Sequence, residues 1–133
     1  MGKELALPAL MNALALLVYL VFGGLVGRAR GKHNVHPPQM TGPPEFERAM
    51  RVHQNTMEQL VIFVPSLWLF SLLVSPVYGG ALGGIWVLGR IVYAWGYYQA
   101  AEKRVAGFAL TALSNVALLL GGLVGAALAL ARG

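Results

Sequence analysis

The sequence contains no cysteine among its 133 residues. A disulfide framework is therefore excluded, and the chain has no thiol of its own to act as a nucleophile or a metal ligand. Any thiol chemistry must come from a bound ligand. Charged residues are also scarce, at 11% of the chain, whereas a soluble globular domain carries about 25%. This shortage of charge excludes an ordinary water-soluble domain.

Apolar residues make up 57% of the chain. Four apolar stretches are long enough to cross about 30 Å of hydrocarbon; they comprise residues 7–27, 56–74, 80–99 and 105–131. The segments between them are too short to hold a soluble domain. We therefore expect an all-α integral membrane protein, in which residues 1–133 form a single four-transmembrane-helix bundle.

The first apolar stretch could also be a cleaved signal peptide. Its apolar run is longer than the core of a usual signal peptide, and it ends in Gly27-Arg28-Ala29-Arg30 instead of a small-residue cleavage site. We therefore expect it to be retained as the first span.

Positive charge is concentrated at one end of the predicted bundle. The net charge is +5, and the basic residues that flank the first and third connections are Arg28, Arg30, Lys32, Arg48, Arg51, Lys103 and Arg104. Lys3 and Arg132 lie at the opposite end. The positive-inside rule predicts cytoplasmic basic connections and both termini on the other side of the membrane. No basic element interleaved with aromatic residues supports a nucleic-acid partner.

Two groups of polar residues interrupt segments that otherwise look membrane-spanning. The first group is Arg48, Arg51, Asn55 and Glu58, and the second is Arg90, Tyr93, Tyr97 and Arg104. At about 100° per residue, the members of each group fall within arcs of roughly 80° and 60° of a helix. Burying an ionised group at membrane depth is unfavourable unless the group is paired or lines a polar cavity. These two stripes predict the walls of a site for a charged ligand.

The residue types in the stripes indicate the chemistry of that ligand. Arg51 and Arg104 are permanent cations whose donor groups suit carboxylates or a developing anion. A cation beside a bound thiol also favours its thiolate form, which activates the thiol without a general base. Arg90 and Glu58 lie at similar depths, and we expect them to form an ion pair that makes Arg90 chiefly a counter-ion. Arg48 or Arg104 taken alone could be explained as a side chain that reaches the membrane–water interface. That explanation does not account for the polar residues that follow on the same helix face, deeper in the membrane.

Two segments resemble the signatures of a known family. Residues 41–48 read Thr-Gly-Pro-Pro-Glu-Phe-Glu-Arg and lead into the first stripe, and residues 89–97 read Gly-Arg-Ile-Val-Tyr-Ala-Trp-Gly-Tyr and lead into Arg104. Together they resemble the two signatures of the MAPEG family, the membrane-associated proteins of eicosanoid and glutathione metabolism. The resemblance covers nearly the whole chain, including the length of the first loop.

The resemblance implies a homotrimer of four-helix subunits that binds glutathione as co-substrate between adjacent subunits, near the cytosolic face. It implies that Arg104 is the catalytic residue that stabilises the thiolate. Residues that match Arg30 and His53 reach the site from the neighbouring chain. The remaining candidate glutathione-binding residues are Arg48, Arg51, Asn55, Glu58, Gln59, Arg90, Tyr93 and Tyr97. The second substrate would be a lipophilic electrophile or a lipid hydroperoxide that arrives from the membrane lipid.

Three positions depart from the pattern of the family. Gly31 stands where some members have a second arginine, Gln59 where an aromatic residue is common, and His53 where a glutamine is common. The first two departures put individual ligand contacts in doubt. His53 could still form a hydrogen bond, and its charge could respond to pH.

The first loop is rich in proline. Pro37, Pro38, Pro43 and Pro44 restrict the backbone of residues 31–45, so we expect this loop to be ordered against the bundle. His33 and His36 lie in or beside it, but no third ligand accompanies them, and we predict no metal site.

Two other classes of function remain open. The first is a non-catalytic scaffold of the same fold that binds lipid or fatty acid, against which the full set of polar stripe residues argues. The second is a small four-helix drug exporter. Such exporters depend on an acidic residue inside the first span, and residues 7–27 contain none. We therefore favour the glutathione transferase.

Overall fold

The computed structural model describes residues 2–133 and consists of four long helices. Their bounds are α1, Ala6–His33; α2, Pro44–Leu73; α3, Pro76–Gln99; and α4, Val105–Arg132. Short 3₁₀ turns precede α1 and α4, at Lys3–Leu5 and Ala101–Arg104. All four long helices have the length and hydropathy needed to cross a membrane. The predicted all-helical, four-span architecture is confirmed.

Proline and capping residues set the helix boundaries. Pro44 and Pro76 occupy the first turns of α2 and α3, where a missing backbone N–H does no harm. The Ser75 hydroxyl caps α3 by accepting a hydrogen bond from the Tyr78 backbone N–H at 3.2 Å. Asn34 ends α1 in the left-handed conformation, with φ of 54°. Helix α2 therefore begins well before the apolar stretch of residues 56–74.

Helices α2 and α3 form the centre of the bundle, because each packs against both α1 and α4. The core between them includes the stacked rings of Phe63 and Trp86, whose centroids lie 4.2 Å apart. Large apolar side chains cover the outer surface instead of charged ones; Val61 is 70% exposed and Leu130 is 85% exposed. This exterior is the one that a lipid solvent requires.

The proline-rich loop is fastened to the end of the bundle. Val35 is buried, and Arg30 Nη1 donates to the backbone oxygens of Gln39 at 2.7 Å and of Val35 at 3.4 Å. The Arg30 guanidinium also lies 5.2 Å from the centre of the Phe46 ring. The expectation that this loop is ordered against the bundle is confirmed.

Candidate functional site

A cavity of about 490 Å³ opens between α2, α3 and the start of α4, at the end of the bundle that carries the basic connections. Pockets for small molecules have volumes of about 300–1,000 Å³. The lining residues are Arg51, Gln54, Asn55, Glu58, Tyr93, Tyr97, Arg104, Val105 and Phe108. The structure therefore brings together six of the predicted site residues, three from each stripe, in one pocket.

Helical spacing explains how α2 and α3 line this pocket. Arg51, Asn55 and Glu58 follow one another at intervals of four and three residues, so α2 presents them on one face. Tyr93 and Tyr97 lie four residues apart on α3, and their ring centroids are 5.5 Å apart. The pocket is therefore bounded by two facing helices.

Arg104 reaches the same pocket from the 3₁₀ turn before α4. Its guanidinium lies 5.7 Å from the centre of the Tyr97 ring, and its Nη1 donates to the backbone oxygen of Ala101. The turn therefore holds a cation over the aromatic wall, close to the pocket mouth.

The pocket has a net positive charge, because it contains two arginines and one glutamate. None of Arg51, Arg104 and Glu58 forms an ion pair within residues 2–133. Their charges are thus available to a ligand, and the nearby tyrosine hydroxyls and the Asn55 amide add neutral hydrogen-bonding groups. The arrangement suits a compact ligand that has several negative groups and one positive group.

Three lining residues were not predicted. Gln54 lies three positions after Arg51, so helical spacing could have identified it. Val105 and Phe108, at the start of α4, are 65% and 40% exposed. They are ordinary apolar residues in an apolar segment, and nothing in the sequence distinguishes them from a lipid contact. They give the pocket one apolar side.

Arg90 does not line the pocket, and its expected ion pair with Glu58 is wrong. Its side chain is fully buried. Nη1 donates to Asn55 Oδ1 at 2.8 Å and to Thr56 Oγ1 at 3.1 Å, while Nη2 donates to Thr111 Oγ1 at 3.1 Å. No carboxylate of residues 2–133 pairs with it. Three neutral oxygens and the face of the Tyr93 ring, 4.1 Å away, surround the guanidinium instead.

Two other predicted arginines lie at the same end of the bundle but outside the pocket. Arg30 is bound to the proline-rich loop, as described above. Arg48 Nε donates to the backbone oxygen of Tyr98 at 3.3 Å, which ties α2 to the end of α3. Within the single chain, both arginines contact backbone oxygens of their own subunit.

His53 and Gln59 also point away from the pocket. The His53 ring stacks on Tyr19 of α1 with a centroid distance of 4.5 Å, and it packs against Gly23. Gln59 Oε1 accepts a hydrogen bond from Asn115 Nδ2 of α4 at 2.9 Å. In this chain both side chains join α2 to a neighbouring helix.

Within residues 2–133, no group of three or more histidine or acidic side chains is placed to hold a metal ion. His33 instead lies against Glu45, with Nε2 3.3 Å from the carboxylate, and Lys32 contacts the same carboxylate at 3.2 Å. Lys32 and His33, at the end of α1, thus both contact the Glu45 carboxylate at the start of α2.

The fold and the pocket define a small helical membrane protein with a positively charged pocket at one end of its bundle. The model of the MAPEG family matches residues 8–124. The chain therefore belongs to the MAPEG family.

Individual relatives cover most of the chain. It is 55% identical to an uncharacterized protein of Synechocystis over 121 residues, which are 91% of this chain and 88% of the relative. It is 41% identical to human microsomal glutathione S-transferase 2 over 118 residues, 89% of this chain and 79% of the relative. It is 37% identical to guinea-pig leukotriene C4 synthase over 106 residues, 80% and 71% of the two chains.

Proposed function

We propose that the protein is a membrane glutathione transferase that conjugates glutathione to lipophilic electrophiles. The single observation that carries this proposal is the pocket in which Arg51 and Arg104 accompany Glu58. Glutathione offers two carboxylates, one ammonium group and one thiol, which match two cations, one anion and a set of neutral donors. The names of the glutathione S-transferase and leukotriene C4 synthase relatives point to the same chemistry.

Each pocket residue has a role in the proposal. Arg51 and the Asn55 amide bind glutathione carboxylates, and Glu58 binds the ammonium group. Tyr93 and Tyr97 donate hydrogen bonds along the aromatic wall. Arg104 is the catalytic residue, because a fixed cation near the sulfur stabilises the thiolate and needs no general base. Arg48 and Gln59 support the site by bracing α2 against the other helices.

In the proposed conjugation, the thiolate attacks an electrophilic carbon of the second substrate. A carbon–sulfur bond forms while the bond to the leaving group breaks, and the leaving group departs with the electron pair. In an epoxide, the ring oxygen stays attached and takes a proton from water. The apolar side made by Val105 and Phe108 admits a substrate from the bilayer.

A lipid hydroperoxide is the second substrate class that we propose. The thiolate takes the terminal peroxide oxygen, which leaves a lipid alcohol after protonation and a glutathione sulfenic acid. A second glutathione then displaces water from this sulfenic acid and forms glutathione disulfide. The same activated thiolate serves both reactions, so no further protein group is required.

We also propose that the protein is a homotrimer and that neighbouring subunits complete each site. Glu58 lies thirteen residues past Glu45, about 20 Å along α2, yet it is exposed in the single chain. An exposed carboxylate at membrane depth needs a polar cover, which an adjacent subunit supplies. Arg30 and His53 are the residues that we expect it to contribute.

The basic connections, and with them the site, face the cytosol, and both termini face the opposite side.

The proposal is tested by titrating the purified, detergent-solubilised protein with glutathione near neutral pH and recording the ultraviolet difference spectrum. We expect thiolate absorbance in the wild type, and we expect Arg104→Ala to abolish it together with most of the turnover of an electrophile. Lys103→Ala is the matched control, because this neighbouring cation does not line the pocket and should leave both signals intact.

Equal thiolate absorbance and turnover in Arg104→Ala would refute the assigned role. Absence of any glutathione binding to the wild type, measured by calorimetry on the same sample, would refute the transferase and favour the non-catalytic lipid-binding scaffold.

A further inference from the structure

Arg90 is the only charged side chain among residues 2–133 that is fully buried. Its three hydrogen bonds join α3, on which it lies, to α2 through Asn55 and Thr56 and to α4 through Thr111. The two threonine hydroxyls are already committed as donors, to the backbone oxygens of Val52 at 2.7 Å and Phe108 at 2.9 Å. Their oxygens can therefore only accept from Arg90, which fixes the position of the guanidinium.

Asn55 is the one hydrogen-bond partner of Arg90 that also lines the pocket. A side-chain amide can present either its oxygen or its NH₂ group to a neighbour, and the two orientations differ only by a flip. A guanidinium has donors alone, so it can be met only by Oδ1. By holding Oδ1 at 2.8 Å, Arg90 leaves the NH₂ group as the end that the pocket can use.

We propose that Arg90 is a positioning residue, which fixes the Asn55 amide so that its NH₂ group donates to a carboxylate of the ligand. The proposal rests on the function proposed above and assigns Arg90 a role that acts through its hydrogen bond to Asn55. Without the guanidinium, the amide would be free to turn its oxygen toward the pocket. An oxygen in that position would repel the carboxylate that the NH₂ group binds.

A double-mutant cycle on glutathione binding tests this role. We compare the glutathione Kd of wild type, Arg90→Met, Asn55→Ala and the double variant by calorimetry in detergent. Each single variant should weaken binding about tenfold, as expected for one hydrogen bond to a charged group. Because Arg90 acts through Asn55, the double variant should bind no more weakly than Asn55→Ala. Independent losses that multiply in the double variant would overturn the proposal.

Ser114→Ala controls for the loss of a buried polar contact in general. Its hydroxyl donates to the Leu110 backbone oxygen at 2.9 Å and lies outside the pocket. This variant should retain the wild-type Kd, and a weakening as large as that of Arg90→Met would overturn the proposal.

Asn55→Asp provides a test that keeps Arg90 in place, in case Arg90→Met does not fold. The carboxylate can still accept from Arg90, so the apparent Tm should not fall, but it has no donor for the ligand. Glutathione binding should be lost, and binding equal to that of the wild type would overturn the proposal.

The outcomes separate this proposal from the proposed function. If the wild type itself binds no glutathione, both proposals fail. If the wild type binds glutathione but the double-mutant cycle or Asn55→Asp gives the contrary result, the proposed function stands and Arg90 has only a structural role.

Discussion

Glu58 is the only acidic side chain that lines the pocket in residues 2–133. It is exposed and forms no ion pair within that part of the chain. We propose that its partner is the ammonium group of glutathione, and glutathione derivatives without that charge provide a direct test.

We predict that Glu58→Gln weakens glutathione binding about tenfold, because a charge-assisted hydrogen bond to the ammonium group is lost. The sharper comparison uses N-acetylglutathione, which has no ammonium group. Wild type should bind it about tenfold more weakly than glutathione, whereas Glu58→Gln should bind both ligands alike. Calorimetry with both ligands measures the four affinities.

Glu102→Gln is the control for this pair of ligands, because Glu102 is an exposed acid in the adjoining 3₁₀ turn that does not line the pocket. It should discriminate between the two ligands as the wild type does. If Glu58→Gln still prefers glutathione to the same extent, Glu58 does not bind the ammonium group.

The sequence predicted the residues of the pocket better than those around it. Spacing on a helix fixes which residues share a face, and charge in an apolar segment marks that face as functional; Arg51 and Tyr97 were found in this way. Spacing does not reveal the neighbouring helix. Arg90 shares a face with Tyr93, yet it meets Thr111 of α4, a partner that no pattern in α3 could specify.

At the scale of helices, the contact between α3 and α4 places the start of α4 beside the pocket. The two helices approach closely where Gly107 lies against the backbone of Tyr93 and where Gly89 lies against Thr111. A Cβ atom on Gly107 would overlap the backbone N and Cα of Tyr93. This overlap cannot be relieved by moving a flexible side chain, so the glycine permits the position of a pocket-lining tyrosine.

We predict that Gly107→Ala lowers the stability of the bundle by about 1–3 kcal/mol, as overpacking does. It should also weaken glutathione binding, because Tyr93 is displaced. The apparent Tm in detergent and the glutathione Kd measure the two effects. Gly24→Ala is the matched control, since nothing lies within 4 Å of its added Cβ in the single chain. The prediction is contradicted if the two variants behave alike.

In the sequence, glycines recur at four-residue spacing, as at Gly23 and Gly27, Gly79 and Gly83, Gly80 and Gly84, and Gly121 and Gly125. This spacing predicts close packing of helices but does not specify which helices meet. Of the glycines singled out by their spacing, Gly80 lies against Leu7 of α1, and Gly125 lies against Leu73 and Val74 at the end of α2. Gly27 has nothing within 4 Å. Gly107, which lies against the backbone of Tyr93 on α3, is not a member of those four-residue pairs.

At the scale of the whole molecule, our proposal is that two adjacent chains build each site. The pocket residues Arg51 and Arg104 belong to a single chain. Arg30 lies outside that pocket and contacts its own loop, yet it is the residue that we expect to reach the adjacent subunit. In a cyclic assembly every subunit meets its neighbour through the same heterologous contact, so both roles can be separated by mixing variants.

We predict that Arg30→Ala and Arg104→Ala, each inactive alone, restore activity when the two chains are expressed together. A site is intact when its own chain keeps Arg104 and the adjacent chain keeps Arg30, which random mixing gives in about a quarter of sites. Selecting mixed trimers through two different tags removes the trimers built from one variant alone, so each purified trimer has one intact site in three and turnover should recover to roughly a third of the wild-type value. Arg51→Ala mixed with Arg104→Ala is the control and should recover nothing, because both residues line the same-chain pocket. If the Arg30 mixture also stays inactive, Arg30 acts only within its own chain, where it holds the proline-rich loop beside the site.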